Sequence, residues 1–80
     1  MKQHYVLFPN QHNGIKLSNI LGNSNIKSTI VPTPRELSAN CGISLLVFEE
    51  DVDDIMRIIV SNDIAIERIA VLEKEKKHGS

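Results

Sequence analysis

The residues of this chain best suited to chemistry are gathered in one short stretch, Pro32-Thr33-Pro34-Arg35-Glu36-Leu37-Ser38-Ala39-Asn40-Cys41-Gly42. Cys41, the single cysteine, offers a thiol whose ionised form is the nucleophile of thiol exchange. A free thiol is only about 3 per cent ionised at neutral pH, so such a role calls for a neighbouring cation or a helix N-terminus. Arg35 is the cation at hand, and Ser38 and Asn40 keep the approach to Cys41 polar. The competing reading is packing, because cysteine is among the most often buried residue types. Arg35 likewise competes as a surface ion-pair partner for Glu36 or another acid.

Other constellations are weaker. His4, His12 and His78 have no metal-ligand spacing with Cys41 or with the acids, so no metal site is assigned, and His4 is expected to face solvent from a strand. The acidic run Glu49 to Asp54 lacks the glycine and spaced oxygens of a calcium loop and is explained by the start of a helix. Neither a nucleophile-base pair, a phosphate loop nor a dinucleotide fingerprint is present. Turnover of a substrate by this chain alone is therefore not expected, and no cofactor is assigned.

Elements that could position the loop follow from punctuation and periodicity. Gln3 to Phe8 is a first strand, ended by Pro9. Asn10 caps a helix from Gln11 to Leu21, with Leu17, Ile20 and Leu21 on one face, small Gly14 a turn earlier, and Gly22-Asn23 as its stop. Ile26 to Val31 is a second strand, and the apolar run Ile43 to Phe48 a central third. Between them, Thr33 and Glu36 have capping-box spacing and Pro34 suits a first helical position, predicting a short helical turn over Pro34 to Ser38. Gly42 is expected to supply a backbone angle or a close approach that a side chain would forbid. Val52, Ile55, Met56 and Ile59 define the second helix, and Ile64 to Leu72 a fourth strand with a bulge at Glu67-Arg68.

The order β-α-β-β-α-β predicts an α+β, ferredoxin-like fold, a four-stranded antiparallel sheet with two helices on one face. Strands two and four are the expected edges, and pairing of two copies into a homodimer is expected to support so small a core. With 80 residues the chain has room for one domain, assigned to residues 1–73, followed by a charged, frayed tail over 74–80. Nine basic against ten acidic side chains give no field that would select nucleic acid or a membrane surface. One cysteine and the short apolar stretch Tyr5 to Phe8 argue against a disulfide framework and a signal or membrane segment, and the expected location is cytoplasmic.

In this order of elements, the loop after strand one and the loop after strand two open at the same end of the sheet. The first helix N-terminus, Asn10 to Asn13, is thereby expected near Cys41, and Arg35, Ser38, Gly42, Asn10 and His12 are candidates for an anion-friendly pocket around its thiolate.

The loop also resembles a known family. Pro32, Pro34, Arg35, Ser38, Cys41 and Gly42 match the proline-x-proline-arginine, serine and cysteine-glycine pattern of the small bacterial selenium or sulfur carrier-like domains. The resemblance runs over most of the chain, since the family also opens on a strand ending in phenylalanine, here Phe8, followed by a capped helix. It departs at Asn10, where serine or threonine is expected, and at Gly14, where alanine is expected. The resemblance implies that Cys41 carries sulfur or selenium as a persulfide or selenosulfide, with donor and acceptor proteins as partners. The alternative is a non-catalytic small-molecule- or protein-binding regulatory module on the same fold, in which Cys41 is merely part of the loop.

Overall fold

A computed structural model describes residues 2–37 and 39–73; the expected frayed tail lies outside these residues. Strand β1 (Lys2–Leu7) leads through Pro9 into helix α1 (Gln11–Asn23). Strand β2 (Ser28–Pro32), a 3-10 turn at Arg35–Leu37 and strand β3 (Ile43–Val47) follow. A second 3-10 turn (Glu49–Asp51) opens directly into helix α2 (Val52–Ser61), and strand β4 (Arg68–Glu73) completes the sheet. The four strands lie in the order β2-β3-β1-β4, with each neighbouring pair antiparallel. This is the ferredoxin-like βαββαβ arrangement, with β2 and β4 at the edges.

Alternation along the strands sorts the apolar residues into two layers. Val6, Leu45 and Val47 meet Leu17 and Leu21 of α1 and Ile55 and Ile59 of α2, so both helices cover one face. Tyr5 and Leu7 point to the other face, which neither α1 nor α2 covers and where Leu37 of the first 3-10 turn packs on them. β1 is thus covered on both sides. That position overturns the expectation for His4, which is only 9% exposed. It sits on the helix-facing side of β1, opposite Val47 and Val71 of the flanking strands.

The helix ends account for the other departures. Asn10 caps α1 as expected, its side chain accepting from the Asn13 amide at 3.1 Å. The expected stop at Gly22 is displaced: α1 continues through Asn23, and Asn25 takes the left-handed angle, φ 61°. The Ile26 amide then reaches the Leu21 carbonyl at 2.9 Å and the Asn25 amide the Gly22 carbonyl at 3.3 Å, a Schellman closure. α2 ends in the same way. Asp63 has φ 55°, and the Ile64 amide donates to the Ile59 carbonyl at 3.1 Å.

That closure also explains why the fourth strand starts later than its apolar pattern suggests. Ile64 is spent sealing α2 against the core, and the Ala65 amide donates to the Asn13 side chain at 3.0 Å rather than to a strand. The Glu67 amide then reaches the Leu7 carbonyl at 2.7 Å, and pairing begins with Arg68 opposite Leu7. Glu67-Arg68 is the start of the strand, not a bulge within it.

Candidate functional site

The connection between β2 and β3 carries Cys41, and hydrogen bonds shape it throughout. At its base the Thr33 amide donates to the Gly42 carbonyl at 2.9 Å and the Thr33 hydroxyl to the Cys41 carbonyl at 3.0 Å. The threonine of the expected capping box therefore turns its hydroxyl across the loop. The Leu37 amide donates to the Pro34 carbonyl at 3.0 Å, forming the 3-10 turn over Arg35–Leu37. Leu37 is buried against Tyr5 and Leu7, so the turn lies on the face of the sheet opposite the helices.

Two residues that the sequence reading did not assign to the site hold the loop from the far edge of the sheet. The Arg68 guanidinium donates from Nη2 to the Leu37 carbonyl at 2.7 Å, and the Asn40 amide group donates to Glu67 Oε2 at 3.0 Å. Arg68 Nη1 also stands 3.7 Å from Glu67 Oε1. The only signal for this in the sequence is an adjacent pair of opposite charges at the entry to an apolar strand, a pattern too common to single out.

Cys41 is 6% exposed. It borders a small cavity of about 240 Å³ lined by Thr33, Pro34, Arg35, Ala39, Asn40 and Gly42. Arg35 and Gly42 line the same cavity as Cys41. Asn10 and His12 do not line this cavity; Asn10 serves as the α1 cap and His12 lies exposed in the first turn. Ser38 lies outside the described residues. Gly42 departs from expectation, since its φ is not left-handed and a Cβ placed there would meet nothing within 4 Å. Neither backbone strain nor crowding requires a glycine at this position.

A sequence profile of the family described as Putative Se/S carrier protein-like matches residues 3–71. The chain belongs to that family. The match spans the sheet, both helices and the whole cysteine loop, so the Se/S carrier-like domain and the fold described here coincide. No curated protein matches the chain. Among the described residues, no helix of this Se/S carrier-like protein is long and apolar enough to cross a membrane. Nor do three His, Cys, Asp or Glu side chains among them come together as a metal-holding group.

Proposed function

We propose that this protein carries a single sulfur or selenium atom on Cys41 between a donor and an acceptor protein in the cytoplasm. The observation that supports the reading is a cavity roomy enough for one added atom that Cys41 and Arg35 both line. In the loading step the Cys41 thiolate attacks the terminal sulfur of a persulfide R–S–SH. A Cys41 S–S bond forms, the donor S–S bond breaks and R–S⁻ leaves, with no net oxidation or reduction. Unloading reverses the roles, the acceptor nucleophile taking the terminal sulfur and Cys41 leaving as thiolate. Selenium follows the same path as a selenosulfide. Arg35 supports the anionic forms by its charge, and the structured loop limits the motion of the loaded atom.

The test is to incubate reduced protein with a low-molecular-weight persulfide and read the intact mass. The expected result is the mass of one sulfur, located on the Cys41 peptide and removed by dithiothreitol. Unmodified protein under conditions that load a control thiol rejects the proposal.

A binding module remains the second reading because of one specific feature. A cleft of about 880 Å³ lies at the opposite end of the sheet from Cys41, lined in part by Lys2, Lys27, Thr29, Leu46 and Phe48. Ligand capture there would survive Cys41→Ser, whereas sulfur transfer would not.

A further inference from the structure

Register pairing places Val31, Ser44, Leu7 and Arg68 in one row across the sheet, from edge to edge, all on the face away from the helices. The cysteine-bearing connection lies over that row. It leaves the sheet after β2, sets Leu37 against Leu7 and Tyr5, and has its Leu37 carbonyl held by Arg68 of the far edge strand. The second hold is between Asn40, next to Cys41 in the chain, and Glu67, next to Arg68. The loop is therefore fixed at its base by its own backbone and at its far side by two neighbouring charged residues of β4 and its approach. Beneath it, the Ser44 hydroxyl is fully buried with no hydrogen-bond partner, flanked by Leu7 and Val31. A buried hydroxyl in that state disfavours the closely packed arrangement, and the two side-chain bonds from Glu67 and Arg68 offset it.

We infer that Arg68 and Glu67 are the positioning residues of Cys41, holding the loop in the arrangement that buries its thiol, so that thiol exposure is set from the opposite edge of the sheet. This deepens the carrier reading and rests on it for its significance, but the positioning itself is a property of the fold. Removing the Arg68 hold lets the turn at Arg35–Leu37 lift from the sheet without unfolding the four strands, whose pairing does not depend on it.

Cys41 alkylation by iodoacetamide on the folded protein, at fixed pH, tests this directly. Arg68→Ala is expected to raise the labelling rate at least tenfold, and Glu67→Ala by a smaller factor through loss of the Asn40 bond. Arg68→Lys is expected to restore most of the wild-type rate, since an ammonium group can still donate to the Leu37 carbonyl. Arg57→Ala, which removes the exposed partner of Asp54 on α2, is expected to leave the rate unchanged. A rate within twofold of wild type in Arg68→Ala overturns the inference. If Arg68→Ala does not fold, amide exchange of the wild-type protein decides instead. The Leu37 amide is expected to exchange faster than β1 amides, by an opening short of global unfolding, and equal protection of the two overturns the inference. Neither readout involves sulfur loading, so failure of the carrier proposal and failure of this one are separate results.

Discussion

At the scale of single residues, Gly14 and Gly42 differ in what an added side chain would meet. A Cβ on Gly14 would stand 3.1 Å from the Phe8 ring and 3.3 Å from Ile43 Cδ1, between helix and sheet. Gly14→Val is therefore expected to lower the urea-unfolding free energy by about 1 to 3 kcal/mol through overpacking. Gly42 has open space and an unremarkable backbone angle, so Gly42→Ala is expected to change that free energy by less than about 1 kcal/mol. Ser44→Ala is expected to leave stability unchanged or raise it by about 1 kcal/mol, because it deletes a buried hydroxyl that has no partner. A loss of more than about 1 kcal/mol would mean that the hydroxyl is hydrogen-bonded in solution.

At the scale of elements, the terminators matter more than the periodic runs. Asn25 and Asp63 occupy left-handed positions that close α1 and α2, with Ile26 and Ile64 turned back into the core behind them. Asp63→Gly is expected to raise stability in thermal or urea unfolding by up to about 1 kcal/mol, because glycine alone escapes the Cβ penalty of that conformation, which Asp63→Ala retains. Equal effects would show that side-chain polarity, not backbone angle, sets the choice. Strand and helix identities were legible because Leu17, Ile20 and Leu21, or Val52, Ile55 and Ile59, repeat with an unambiguous helical period. The end of α1 was not, because an asparagine beyond the glycine took the strained angle. The start of β4 was hidden for a related reason. Ile64 and Ile66 are apolar to cover the core from a crossing segment, and a β-branched run reads the same whether or not its amides join a ladder. Within the site, Cys41, Arg35 and Gly42 stood out because they are close in sequence, while Glu67 and Arg68 reach the loop only through strand order.

At the scale of the whole molecule, stability is concentrated in the strand shared by both layers. Tyr5, Val6, Leu7 and Phe8 are all buried, two of them under the helices and two on the opposite face. Amide exchange is therefore expected to be slowest in β1, with α2 opening earlier because its outer positions Met56 and Val60 are exposed. Slower exchange in α2 than in β1 would contradict this layering. The β1–β4 register adds a geometric property. Lys2 faces Glu73 at one end of the sheet, whereas Leu7 faces Arg68 at the other, beneath the cysteine loop. A dye or surface tether attached at position 2 thus stands about 17 Å along β1 from the Arg68 row at strand rise, at the end of the sheet away from the cysteine loop. Position 2 is in effect one end of a ruler laid along β1, and the protein can be immobilised there with the cysteine loop left free at the far end.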